Sequence, residues 1–330
     1  MASRAKLLDQ LADAGVTLTL VDVGASLEPF APFQPLLGAA TYVGFDPDRR
    51  ELHTSSSSDG RGRRIVVEQA VVADDDAGEA TFFLTANPTC SSTLRPLDAE
   101  VGEYLHAYRF EVVGEATVGA TTLAKALAGA GIDRVDWLKL DTQGTDLRLL
   151  TGLDYGLSAT LMAVDAEPGL DPFYDGEDTF GELHRALVAR GFWLADLDLI
   201  RAVRLRRSTY DDLLGARTKL GRRVAEFALK PSPTAAGPRY LRTLASLEAA
   251  GAGRDDYLRL WACAFFSGNH PYALDVIAAC RDRHGAAAPV PALSEATVRA
   301  NRADIRRATP RRLMEKASLR NLRRFFTKPY

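Results

Sequence analysis

Three β-rich runs in this chain each close on an aspartate, and that recurrence constrains the fold more tightly than any other feature. Residues 17–24 bring Leu18, Leu20, Val21 and Val23 to Asp22 and Gly24; residues 40–46 end on Asp46, 24 positions after Asp22; residues 135–141 end on Asp141. Apolar runs of the same kind occupy 64–72, 81–84 and 161–166, and helical patterning separates several of them at 122–130, 145–151 and 179–190. Near-continuous apolar strands divided by helices predict a doubly wound, mostly parallel sheet with helices on both faces. In such a Rossmann-like α/β domain the ligand crevice lies outside the carboxyl ends of the strands, where the three aspartates converge. One strand-end aspartate is commonly only a turn or cap residue. Three in register point to a site.

The texture changes after about Arg207, so the chain divides into a sheet domain at 1–207 and a helical region at 208–330. A helix is expected at 210–229. Pro231, Pro233, Gly237 and Pro238 then mark 230–238 as a linker, and helices follow at 240–250, 255–266 and 271–284. Residues 257–285 have the shape of one tetratricopeptide-type unit, but one unit does not make an array, and a small helical appendage on the sheet domain is the simpler expectation. Net charge is −2, yet residues 299–330 hold 11 Lys/Arg against 2 Asp/Glu, which leaves an acidic body. In that tail Leu319, Leu322 and Phe326 form a partial apolar stripe, suited to docking on the acidic body or to peripheral contact with an anionic membrane. Few aromatic residues accompany the basic ones, which disfavours nucleic acid. No apolar run reaches the roughly 20 residues that span a bilayer. The three cysteines, Cys90, Cys263 and Cys280, are odd in number and far apart, which favours a reducing compartment, and the cytoplasm is the expected location. Neither these cysteines nor the five histidines cluster with metal-ligand spacing, so no metal is expected.

The strand-end acids also select the ligand. A dinucleotide needs a glycine-rich turn and a helix N-terminus for its pyrophosphate. Only Gly24 is present after the first run, and Pro29, Pro32 and Pro35 oppose a regular helix there. S-adenosylmethionine has no phosphate and carries an ammonium and a sulfonium, which suit a carboxylate-lined edge. Asp46 is placed to accept both ribose hydroxyls of an adenosine. The expected donor contacts are Asp22, Gly24 and Ala25 after the first run, Asp46 after the second, Ala70 in the third, and Asp141 with Gln143.

These elements occur in an order that resembles the FkbM-type methyltransferases over roughly 21–204. The pieces are Asp22-Val23-Gly24-Ala25, Gly44-Phe45-Asp46-Pro47-Asp48, Pro88-Thr89-Cys90-Ser91-Ser92, Thr121-Thr122-Leu123, Leu138-Lys139-Leu140-Asp141-Thr142-Gln143-Gly144, Pro172-Phe173-Tyr174, Gly191-Phe192 and Asp196-Leu197. The resemblance implies a class I methyltransferase fold, S-adenosylmethionine as donor, and O-methylation of a small-molecule or glycan hydroxyl. The chain departs from the pattern at Glu167-Pro168-Gly169-Leu170, where relatives tend to carry a second acid in place of Gly169. That departure sustains an alternative, a binding or scaffold protein that keeps the sheet without the catalysis. A nicotinamide-dependent oxidoreductase is disfavoured by the missing glycine fingerprint.

Methyl transfer to a neutral alcohol needs aligned reactants and a base near the methyl group. Glu167 and Asp171 follow a strand and stand at a suitable height. His106 lies in the long segment between Ser92 and Phe110, which reads as a lid. Cys90 reads as a packing or substrate-contact residue, because displacement at a sulfonium needs no covalent enzyme intermediate.

Overall fold

The computed structural model describes residues 4–25, 28–47, 57–59, 61–73, 78–97, 102–214 and 218–315. The tail stripe of Leu319, Leu322 and Phe326 lies outside them.

Five parallel strands form the centre of the main sheet: β1 (Leu18–Val23), β2 (Ala40–Phe45), β4 (Gly62–Val67), β8 (Trp137–Leu140) and β9 (Ala163–Asp165). Among the described residues the main sheet has eight strands in the order β10-β11-β9-β8-β1-β2-β4-β3, where β3 is Ser57–Asp59, β10 is Phe192–Ala202 and β11 is Ser232–Arg242. A smaller sheet, ordered β5-β7-β6, joins Ala70–Val71, Val112–Thr121 and Glu79–Thr85 above the crevice side. The run expected at 81–84 belongs to this second sheet.

Residues 230–238, expected as a linker, are instead largely β11. This strand inserts antiparallel between β9 and β10. On the β9 side the pairing of Arg239, Tyr240 and Leu241 continues past the strand end, with the Ala166 amide on the Pro238 carbonyl at 3.2 Å and the Ala236 amide on the Pro168 carbonyl at 3.0 Å, so Pro238 is accommodated there as an acceptor alone. The boundary expected at 207/208 therefore falls between two strands that pair along their length.

Each face of the sheet carries its own core. On one side α2 (Leu123–Gly129), α3 (Asp146–Thr151), α4 (Tyr155–Thr160) and α5 (Phe180–Ala189) bury Leu127, Leu149, Leu157 and Leu183 against Val21, Val43, Leu138 and Val164. Thr122 caps α2 by accepting from the Lys125 amide, and Glu182 reaches back to the Thr179 amide at the start of α5. On the other side α1 (Arg4–Asp13) and a 3-10 segment at Ala31–Ala39 pack beside C-terminal helices. Two short helices, α6 (Arg207–Leu213) and α7 (Lys219–Ala228), precede β11, and α8 (Leu244–Ala249) follows it. Helices α9 (Arg254–Phe266), α10 (His270–His284) and α11 (Val290–Glu315) complete this layer. Residues Tyr257, Leu258 and every position from Leu260 to Phe266 on α9 are buried, so α9 is enclosed on all sides. It lies between the sheet residues Leu20, Tyr42 and Trp137 and the helices α10 and α11. The C-terminal helices thus form one of the two layers that cover the sheet, a larger role than that of an appendage. Among the described residues no helix is long and apolar enough to cross a membrane.

Candidate functional site

The strand order turns at β1 and β8. From β1 the chain winds outward through β2 and β4, and it later returns to the other side of β1 through β8 and β9. A crevice opens at such a switch point. Gly24 and Asp141 form its floor. The Gly24 amide donates to the Phe45 carbonyl at 2.9 Å, and the Asp141 amide donates to Val23 at 3.1 Å. Gly24 has φ +78°, and a Cβ on it would stand 2.1 Å from the Asp141 carbonyl oxygen. Glycine is therefore required here by the backbone of the neighbouring strand.

Register places Lys139 directly opposite Asp22. The Lys139 ammonium donates to the Gly24 carbonyl at 2.8 Å and stands 3.3 Å from both Asp22 Oδ1 and Asp141 Oδ2. Burial opposes the charged lysine, but the Asp141 and Asp22 carboxylates outweigh it and hold its pKa above the ordinary range. Asp22 Oδ2 accepts from the Phe30 amide at 2.9 Å and the Tyr42 hydroxyl at 3.1 Å. Its carboxylate, 1 % exposed as a residue, is engaged beneath the crevice and does not reach the cavity above. Ala25 is likewise buried outside the cavity lining.

A cavity of about 130 Å³ stands over the floor. Of the expected donor residues, Gly24, Asp46, Ala70, Asp141 and Gln143 line it. Phe45, Pro47, Val71 and Phe82 make one part of its wall apolar, and Gln69, Thr89, Ser91 and Thr142 supply polar groups. Asp46 is buried at the end of β2, with its amide on the Val67 carbonyl. Two carboxylates, Asp46 and Asp141, border the cavity from the ends of β2 and β8, the strands on either side of β1. Across the crevice from β1 the segment that begins at Ala31 is 3-10, with Pro32 and Pro35 within it, so it presents no α-helix N-terminus of the kind that holds a pyrophosphate.

A second cavity, of about 210 Å³, shares Thr89, Asp141 and Gln143 with the first. Gln143 adopts φ +57°, unusual for a side-chain-bearing residue. In that conformation its amide group donates to Asp141 Oδ1 at 2.7 Å, and its carbonyl oxygen accepts from the Tyr174 hydroxyl at 3.1 Å. Ser92 Oγ donates to the Gln143 backbone carbonyl at 2.8 Å and pins the turn from below.

Glu167 and His106 both line the second cavity, and Asp171 does not. Burial and the neighbouring Asp141 carboxylate push the Glu167 pKa up to about 8. A further cavity of about 340 Å³ lies on the other side of Glu167, bordered by Lys139, Asp165, Asp198 and Arg239. His106 is 3 % exposed and stacks on Tyr104 at 5.7 Å, with Phe110 and Phe173 edge-on. Burial holds its pKa below the usual histidine value, so the ring is neutral at pH 7. Asp171 is exposed on the surface and ion-paired with Arg204. Cys90 is buried and its thiol is pushed up to about 11, and its backbone carbonyl accepts from Tyr174 at 2.8 Å. A packing role fits both facts.

Two acidic or basic groups of this site escape a reading of the sequence. Lys139 sits inside an apolar strand; its opposition to Asp22 becomes visible only with the register. Glu177 lies in a loop and lines the second cavity. Its carboxylate accepts from the amides of Gly169, Phe173 and Tyr174. It also fills the space beside Gly169, the position at which the expected second acid is missing.

No curated protein and no solved structure matches the chain. Residues 22–194 match the family described as the methyltransferase FkbM domain. That span begins on Asp22 of the crevice floor, takes in Gly24, Asp46, Asp141, Gln143 and Glu167, and ends within β10. It covers more than half of the sequence, and the chain accordingly belongs to the FkbM methyltransferase family.

Proposed function

We propose that this protein transfers a methyl group from S-adenosylmethionine to a hydroxyl of a sugar, glycan or secondary metabolite. The observation that carries the reading is the shared wall of Thr89, Asp141 and Gln143, which joins a carboxylate-lined cavity to a second cavity holding Glu167. When bound, the donor supplies a methyl carbon activated by its sulfonium. Asp46 takes the ribose hydroxyls, Gly24 and Ala70 border the nucleoside, and Asp141 with Gln143 faces the methionyl half. Asp22 acts on this pocket indirectly, through Lys139. The acceptor hydroxyl enters from the Glu167 side. Its oxygen forms the new bond to the methyl carbon as the carbon–sulfur bond breaks and leaves a neutral thioether. Glu167 takes the hydroxyl proton, a task that suits a carboxylate whose pKa is raised toward 8. His106 and Phe173 enclose the acceptor and keep water out.

The test is methyl transfer from isotope-labelled S-adenosylmethionine to a panel of hydroxylated acceptors, with donor affinity measured by calorimetry. Glu167→Gln is expected to leave donor affinity unchanged and to lower turnover by roughly 10²–10⁴-fold, the usual worth of general base catalysis. Parental turnover in Glu167→Gln would remove the base assignment. Binding of NAD in place of S-adenosylmethionine would overturn the donor.

A further inference from the structure

Helix α7 is amphipathic in the wrong direction for a helix whose purpose is to cover a core. Its residues Leu220, Val224 and Phe227 fall at i, i+4 and i+7, on one face, and they are 72 %, 58 % and 94 % exposed. The opposite face does the packing. Ala225 is buried against Leu105, Val203 and Tyr210, and Glu226 holds Arg109 at 2.5 Å while accepting from Tyr108. Arg222 pairs with Asp211 at 2.5 Å and ties α7 to α6, which exposes Leu213 at its end. Three large apolar side chains aligned on a ten-residue helix and left in water mark an interaction surface.

Charge selects what covers this surface. Residues 201–230 hold nine Lys/Arg against three Asp/Glu; Arg204, Arg206 and Arg222 are ion-paired with Asp171, Glu103 and Asp211, while Lys219 and Arg223 on α7 and Lys230 just after it are exposed. An apolar stripe within a basic segment fits the interface of an anionic bilayer, where the stripe enters the acyl boundary and the cations meet lipid phosphates. The C-terminal segment 299–330 of the same chain, with 11 Lys/Arg against 2 Asp/Glu, carries like charge and is a poor electrostatic match for this segment. Arg109, the partner of Glu226, lines the second cavity, so α7 packs behind one of the residues that wall it.

We infer that the outer face of α7 docks on an anionic membrane surface and presents the second cavity to a hydroxylated acceptor anchored in the bilayer. The docking stands on the helix face and the charge alone; the presentation of an acceptor rests on the methyltransferase reading.

Vesicle co-sedimentation of the full chain tests the docking without any methyl transfer. The intact protein is expected to sediment with phosphatidylcholine vesicles containing phosphatidylglycerol, to bind pure phosphatidylcholine far more weakly, and to be released by salt. The triple variant Leu220→Gln, Val224→Gln and Phe227→Gln keeps every charge and replaces only solvent-exposed side chains, so its thermal unfolding should match the parent. Its vesicle affinity is expected to fall by at least about tenfold. Failure of the intact chain to sediment, or undiminished binding by the triple variant, would overturn the inference. A dimer of the parent in vesicle-free sedimentation that the triple variant dissociates would overturn it too, in favour of a second copy as the occupant. None of these outcomes depends on whether the donor site binds S-adenosylmethionine.

Discussion

The Glu177 carboxylate occupies the space that a side chain at position 169 would need: a Cβ on Gly169 would stand 2.3 Å from Glu177 Oε1 and 2.7 Å from the Asp171 carbonyl oxygen. The acid missing from Glu167-Pro168-Gly169 is thus matched in space by an acid arriving from eight residues further along the chain. Glu177 is held there by the amides of Gly169 and Tyr174, each at 3.0 Å, and of Phe173 at 2.5 Å. Gly169→Ala should therefore displace Glu177 and the loop that bonds to it. Overpacking of this kind costs about 1–3 kcal/mol, measurable as a lower denaturation midpoint with an unchanged denaturant slope. Parental stability in Gly169→Ala would show that the loop yields without strain.

Donor binding is best examined at Asp46, and Gly24 is unsuited to it. A side chain at Gly24 meets the Asp141 carbonyl oxygen at 2.1 Å and must also adopt φ +78°, so Gly24→Val should fail to fold normally whatever the ligand. Asp46→Asn keeps the size of the side chain and removes its charge. Its donor affinity should drop by roughly 1–3 kcal/mol, the range for hydrogen bonds to a charged acceptor. Titration calorimetry reads this directly, and an unchanged affinity would take Asp46 out of the ribose contact.

The pH behaviour of Glu167 has a definite sign. Its pKa rises from an ordinary 4.5 to about 8 in the folded protein, so the fold favours the protonated form. Its stabilising contribution is complete below about pH 4.5 and is lost as the pH rises through about 8. A base must be ionised to act, so turnover should climb over the same upper range while stability falls. Glu167→Gln should abolish both trends, and pH profiles of turnover and of thermal midpoint on the two proteins would show it. A turnover profile in the parent that is flat across this range would separate Glu167 from proton removal.

What the sequence discloses and what it withholds follow from range. Strand ends at Gly24, Asp46 and Asp141 are legible because a β-rich run and its terminal acid are contiguous, and the doubly wound sheet follows from their alternation with helices. The fate of the Asp22 carboxylate is not legible, because it depends on the β1–β8 register that sets Lys139 opposite it. Glu177 escapes for a similar reason, since only the folded loop brings it back to Gly169. Strand β11 escapes through its prolines, whose local signal is identical in a linker and in a strand where Pro238 serves as an acceptor alone. Exposure on α7 is invisible as well: periodicity reveals the apolar face but cannot say which way it turns.

The C-terminal helices give the last and most demanding prediction. Trp261 on α9 is fully buried, stacks on Phe265 at 4.9 Å, and donates from its indole nitrogen to Thr297 Oγ1 on α11 at 2.9 Å. It belongs to the same core as Leu20, Tyr42 and Trp137 of the central strands. Removing it leaves a cavity beside the sheet and takes one donor from the Thr297 hydroxyl, which keeps its bond to the Leu293 carbonyl at 2.7 Å, and Trp261→Ala should destabilise the protein by about 3–5 kcal/mol. The loss should appear as one cooperative transition reported alike by far-ultraviolet circular dichroism and by the fluorescence of the two remaining tryptophans, Trp137 and Trp193, both on strands of the sheet, since the helices and the sheet share the core. Two separate transitions, with the Trp137 and Trp193 signal unaffected by the substitution, would mean that the helical layer folds apart from the sheet. Deleting 254–315 should then leave a folded remainder; if the core is shared, the same deletion exposes Leu20, Tyr42 and Trp137 to water and the sheet should not survive it.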